Sequence, residues 1–186
     1  GDTTLAINLF DESIKSEPAR CALMFRYAIL LRDKKMYLKS NQVFQQRIER
    51  CKDEYNSKAK LFIGVNLFSE GKSKEAITAL KQFLIDEPEN LYAKKILANS
   101  YIAEKNTDSA RTILLEAFES GKNNPNANKA EVEQLIQLVC KTYLDSKDFV
   151  NTIKYSKLWV EFNPETAIGN LMLAIGYQGN KDKENA

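Results

Sequence analysis

The sequence predicts an all-α chain of about ten helices joined as antiparallel hairpins. Apolar residues recur at i, i+3, i+4 and i+7 in nearly every window, and no segment alternates with period two for long. Seven glycines and four prolines in 186 residues are too few for a turn-rich β architecture. The stretches between periodic segments are mostly short, as antiparallel neighbours require.

Helices are predicted over 3–16, 20–33, 35–51, 56–70 and 73–86, then over 90–104, 107–120, 128–146, 149–162 and 166–178. The first carries Ala6, Phe10 and Ser13 at helical spacing and runs into Pro18. The second carries Met24, Tyr27, Ala28 and Leu31, and the third Ser40 and Phe44. Ile63, Gly64 and Leu67 mark the fourth. The fifth, "EAITALKQFLIDEPEN", presents Ala76, Leu80 and Phe83 and stops before Pro88, which cannot continue a helix. Leu97, Ala98 and Tyr101 define the sixth, Ala110, Leu114 and Ala117 the seventh. The eighth has Ile136, Val139, Cys140 and Tyr143, and the ninth Thr152, Ser156 and Trp159 ahead of Pro164. Leu173, Ala174 and Tyr177 lie on the tenth.

One small residue sits in the first turns of every second helix: Ala6, Ser40, Ala76, Ala110, Thr152 and Ala186. The intervals are 34, 36, 34, 42 and 34, and the two longer ones contain the loop-like stretches 52–57 and 120–131. A constant period with insertions confined to turns is the mark of a repeat array.

These residues resemble the tetratricopeptide repeat (TPR), whose pattern is W-x2-L-G-x2-Y on a first helix, then A-x3-F and a proline on a second. Lys60, Ile63, Gly64 and Leu67 followed by Ala76, Leu80, Phe83 and Pro88 fall in those slots, although the tryptophan slot never holds Trp. The resemblance covers the whole chain. It implies a single array over 1–186: a half-repeat at 1–18, full repeats at 21–54, 57–90, 91–124 and 133–166, and a half-repeat at 167–186. The implied fold is a right-handed α-α superhelix. Its small residues let paired helices approach closely, and its prolines end the second helices. Because the chain opens on Gly1 without an initiator methionine, we expect an excerpt of a longer protein.

Composition narrows the function. Hydrophobic residues make up 44% and charged residues 28%, with a net charge of +2, which announces neither nucleic acid nor an anionic membrane. No apolar run has the length of a membrane span. With no histidine, the commonest general base and metal ligand is missing. "GKS" at 71–73 lacks the strand and second glycine of a phosphate loop, and it falls where a hairpin turn belongs. Cys21, Cys51 and Cys140 are odd in number and far apart, with no metal-ligand spacing. They are expected as buried small side chains or neutral thiols, leaning toward a reducing compartment. No cofactor, metal or enzymatic activity is expected.

The resemblance places binding on the concave face lined by first helices. It implies a largely apolar partner-binding groove of Phe25, Arg26, Ile29, Leu61, Phe62, Val65, Phe68, Lys95, Asn99, Leu138 and Lys141, with Ile168, Leu171, Met172 and Ile175 on the last helix. Some members of the family clamp acidic chaperone tails with five polar residues. Lys95 and Asn99 fit that set, but Leu138, Ile168 and Met172 do not, so the clamp is refused. The expected function is a protein–protein interaction module that holds a peptide, amphipathic helix or subunit, with Arg26, Lys95, Asn99 and Lys141 setting orientation. Two alternatives stay open: a scaffold segment of a larger or self-associating assembly, and a targeting arm of an enzyme encoded elsewhere. The family's commonest setting and the thiols favour the cytoplasm, with the envelope and secretion systems as the other option.

Overall fold

A computed structural model describes residues 3–16 and 20–184, which form ten α-helices and no strand. They divide into two compact units, 1–88 and 89–186.

The first unit holds α1 (Thr3–Ser16), α2 (Cys21–Asp33), α3 (Tyr37–Arg50), α4 (Tyr55–Ser69) and α5 (Ser73–Asp86), each packed on the next. Its core gathers Met24, Tyr27, Ala28, Leu31, Val43, Phe44 and Ala59. The second unit holds α6 (Leu91–Ala103), α7 (Thr107–Lys122), α8 (Lys129–Asp145), α9 (Phe149–Phe162) and α10 (Ala167–Glu184), again packed in chain order. Its core is larger, built on Leu114, Phe118, Leu135, Ile136, Val139 and Trp159.

The small-residue slots are closed. Ala28, Ala76, Ala98, Ala110, Cys140, Ser40 and Thr152 are all fully buried. Gly64 shows why size matters there, since a Cβ on it would meet Leu80 Cδ2 at 2.7 Å. Polar staples tie neighbouring hairpins at the same register. In the first unit Asn66 donates to Ser40 Oγ at 3.0 Å and Asn41 Oδ1 at 2.8 Å. In the second Arg111 donates to the Thr142 carbonyl at 2.6 Å.

Two expectations for α10 need correcting. α10 runs to Glu184, six residues past its predicted end at 178. Gly179 does not stop it, because the missing side chain makes room for the Phe149 ring. Ala174, expected in a close-approach slot, is exposed, because no described helix follows α10 to cover that face. Pro88 and Pro164 follow α5 and α9 as expected. Pro18 and Ala186 lie outside the described residues.

The turn inside each hairpin repeats four times. Lys35, Gly71, Lys105 and Lys147 adopt positive φ of 58°, 77°, 61° and 56°. The residue after each donates back to a carbonyl five positions earlier: Met36 to Leu31, Lys72 to Leu67, Asn106 to Tyr101 and Asp148 to Tyr143. This is a Schellman closure, in which glycine fits the left-handed position without strain. Three lysines therefore carry a left-handed conformation that costs about 1 kcal/mol or more each. Lys105→Gly is expected to raise the melting temperature of the second unit by about 5 °C. Gly71→Ala should lower that of the first by a similar amount, since no atom lies within 4 Å of the added Cβ to compensate. Thermal denaturation of the two variants checks both signs.

The units differ in how their helices are fastened. In the second, Asn90, Asn106, Asn128 and Asp148 each accept a backbone N–H at a helix start, worth about 1 kcal/mol apiece. In the first, Arg20, Met36, Glu54 and Lys72 stand at those positions and make no side-chain cap bond. It has a covalent fastening instead. Cys21 and Cys51 are joined by a disulfide. This corrects the expectation of unbonded cysteines: the hairpin returns the end of α3 to the start of α2, so residues 30 apart in sequence meet. Only Cys140 stays free and buried, and burial pushes its thiol up to about 11, leaving it protonated and unreactive at neutral pH.

Candidate partner-binding face

In the first unit, α2 and α4, the first helices of their hairpins, bring two of the candidates together, Phe25 and Phe62, with ring centroids 6.1 Å apart. Phe25 and Phe62 meet over Phe44, with ring centroids 5.7 Å apart for Phe25–Phe44 and 5.7 Å for Phe44–Phe62. Tyr55 joins from the start of α4, 5.4 Å from Phe25. Arg32 lies over the Phe62 ring at 4.8 Å, a cation–π contact that keeps a charge against an apolar surface.

The cluster is backed by a charge the sequence did not disclose. Arg47 on α3 is 1% exposed. It donates to the Cys21 carbonyl at 3.2 Å, to Asp53 Oδ1 at 2.5 Å and to Asn56 Oδ1. Its guanidinium lies 5.6 Å from the Phe25 ring and 5.8 Å from Tyr55. Asn56 in turn donates to the Cys51 carbonyl at 2.5 Å. The backbone carbonyls of both cysteines are thus held by one hydrogen-bonded network. The Arg47 hydrogen bond holds the Asp53 carboxyl below its ordinary value.

The candidates differ in what they can offer a partner. Arg26 is exposed; Phe25, Ile29, Leu61, Phe62 and Phe68 are half-buried. Val65 is buried at 5% and packs inward, so it presents no surface. Phe62 is committed to the aromatic cluster. α4 is apolar almost all round, and periodicity alone does not separate its inward residues from its outward ones.

In the second unit, Lys95, Asn99 and Leu138 are half-buried and Lys141 is exposed. Lys95 donates to Gln134 Oε1 at 2.6 Å, joining α6 to α8, and its ammonium lies 5.5 Å from the Tyr92 ring. Leu138 packs against the core. The clearest open surface is on α10, where Ile168, Leu171 and Ile175 are 50%, 59% and 37% exposed. Their i, i+3, i+7 spacing makes one apolar stripe.

Beneath this face, Glu133 Oε1 accepts from Trp159 Nε1 at 2.8 Å and Asn163 Nδ2 at 3.0 Å. Burial pushes the Glu133 carboxyl up, but hydrogen bonds from Trp159, Asn163 and Thr166 outweigh it, and the group sits below its ordinary value of 4.5. A depressed carboxylate stabilises the fold above its unfolded pKa, and that contribution is lost as pH falls through the folded one. Glu133→Gln should therefore flatten the acid loss of stability of the second unit below about pH 4.5, followed by Trp159 fluorescence.

A stack of antiparallel helix hairpins, with small residues where helices cross, defines a helical-repeat protein. Residues 67–132 match the family model of the tetratricopeptide repeat, and that stretch is TPR in sequence as well as in shape. No curated protein sequence matches the chain. Among solved structures, the C-terminal part of a TPR repeat-containing protein from Cytophaga hutchinsonii has a TM-score of 0.78 at 14% identity, over 98% of this chain and 68% of that one. MamA from Desulfovibrio magneticus RS-1 gives 0.70 at 14%, over 90% and 89%. An Naa15/Naa10 structure bound to HypK-THB gives 0.60 at 17%, over 89% of this chain and 24% of that one. At such identities the likeness is one of fold: the chain is built as TPR solenoids are. TPR chains are in general protein–protein interaction modules. No helix among the described residues is long and apolar enough to cross a membrane.

Proposed function

We propose that this chain is a non-enzymatic docking module that holds a peptide, an amphipathic helix or a subunit of a protein partner on its first-helix face. The observation that carries the reading is the stripe of Ile168, Leu171 and Ile175 on α10. Exposed large apolar side chains in one row favour an apolar ligand over a charged one. Within the second unit, Lys95, Asn99 and Lys141 are the polar groups available to orient it. Naa15 offers a precedent for the same fold in a bound complex.

The disulfide supports a setting. Such bonds persist in oxidising compartments and are rare in the cytosol, so the module works in the cell envelope or outside the cell rather than in the cytoplasm.

The test uses Leu171→Asp/Ile175→Asp, whose positions are open enough to accept charge without disturbing the core. Affinity capture with wild-type protein should retain a partner that the variant loses, with the helical circular dichroism of the two superimposable. Equal retention by both would defeat the reading. Exposed Leu5 and Leu9 on α1, at 55% and 56%, favour a second reading, self-association. A stable dimer of the intact chain in light scattering that Leu9→Asp dissolves would establish it.

A further inference from the structure

The two units fill one position of the repeat differently. Arg111 follows the small residue Ala110 on α7, as Asn41 follows Ser40 on α3. Thr142 and Ser146 stand two and six positions after Cys140 on α8, as Asn66 and Glu70 stand after Gly64 on α4. In the second unit the Arg111 guanidinium lies against α8. It donates to the Thr142 carbonyl at 2.6 Å, to Thr142 Oγ1 at 3.2 Å and to Ser146 Oγ at 2.8 Å. The Tyr143 ring backs it at 4.0 Å, and only 13% of the side chain is exposed.

In the first unit the short Asn41 leaves that place open, and a groove of about 470 Å³ runs along α3, α4 and the start of α5. The acceptors remain. Asn66 is fully buried, and its amide nitrogen reaches Asn41 on the groove wall at 2.8 Å, but its Oδ1 has no donor. Glu70 Oε2 is buried and accepts no hydrogen bond; the Lys72 ammonium lies 3.3 Å away and is 43% exposed. Glu75, also on the wall, has no hydrogen bond or ion pair among the described residues. Glu70, Lys72 and Glu75 are the charged side chains of the lining, so the groove carries one negative charge in excess. Buried acceptors without donors are costly, which favours a ligand that brings donors. Leu38, Ile63 and Leu67 line the same groove, with Leu67 where Tyr143 backs Arg111. A compact ammonium would leave this apolar wall bare. An alkylguanidinium offers forked donors for separate acceptors and an apolar stem for the leucines.

We propose that this groove binds an alkylguanidinium cation, seated in the first unit as Arg111 is in the second. None of the first-helix candidates lines it, so the two sites can fail separately.

The test titrates the intact chain with N-butylguanidinium in a calorimeter, with N-butylurea and N-butylammonium as comparators. Wild-type protein should bind the guanidinium saturably, about tenfold or more tighter than the neutral urea and tighter than the ammonium. Glu70→Gln/Glu75→Gln should weaken binding about tenfold. Asn41→Arg should abolish it, because the new side chain takes the place of the ligand, and should raise the melting temperature of the first unit. Leu171→Asp/Ile175→Asp should bind as wild type does. N-acetylarginine amide and free arginine then separate the sources of the cation. Binding of the blocked amide assigns the site to an arginine side chain of a protein, and binding of free arginine alone assigns it to a small guanidine. No saturable binding, equal affinity for guanidinium and urea, or undiminished binding by folded Asn41→Arg overturns the proposal. Should circular dichroism show Asn41→Arg unfolded, undiminished affinity in Glu70→Gln/Glu75→Gln overturns it instead.

Discussion

Reduction of the Cys21–Cys51 bond is expected to lower the stability of the first unit by about 3–4 kcal/mol, the closure entropy of a loop of this length. The loop spans a whole hairpin, from the first residue of α2 to the residue after α3. At its helix starts only α4 has a side-chain acceptor, the Asp53 carboxylate that takes the Tyr55 N–H at 2.9 Å, and α2, α3 and α5 have no side-chain cap bond to fall back on. The measurement is simplified by the single tryptophan, Trp159, which lies in the second unit. Adding a dithiol should shift the helical signal at 222 nm to an earlier transition (about 10 °C or more for a unit of this size), while Trp159 fluorescence moves little. Cys21→Ser/Cys51→Ser should reproduce the shift without reductant. Coincident, unshifted transitions would show that the bond does not hold this unit.

The second large effect is expected at Arg47. Removing one partner of a buried ion pair typically costs about 3–5 kcal/mol. Asp53 is 37% exposed and can turn to water once abandoned, so Arg47→Ala should fall near the lower end, about 3 kcal/mol. Most of that loss comes from the Cys21 carbonyl and Asn56, which lose their donor inside the fold, and from the guanidinium's contacts with the Phe25 and Tyr55 rings. Arg47→Met keeps the stem and should recover part of the loss. Urea unfolding followed at 222 nm measures both. A cost for Arg47→Ala below about 1 kcal/mol would place the residue among ordinary surface charges.

The helices and their pairing were legible because periodicity and small-residue slots are local signals, repeated often enough to fix a register. The end of α10 was not, since Gly179 reads as a stop until Phe149 is seen beside it. The disulfide was within reach of the same register. Cys21 stands at the start of a first helix and Cys51 just past the following second helix, and a hairpin joins those two places. Counting cysteines and measuring their sequence distance hid what the repeat itself implied. The binding face was legible only as a set of positions. Leu61 and Val65 occupy equivalent faces in pattern, yet one is half-buried and the other buried, and that difference depends on neighbours from other helices. Arg47 left no signal, because nothing in the string "FQQRIER" separates an arginine that turns inward from one that faces water.

The covalent loop also sets how the chain bears load. Pulled by its termini, an unfolded stretch lengthens by at most about 3.5 Å for each residue released. The 30-residue separation between Cys21 and Cys51 withholds about 100 Å of that extension. In an oxidising compartment, the first unit would unravel short by that loop while the second unravels fully. A reductant would return the missing length, so the bond works as a tether stop for one segment of the molecule.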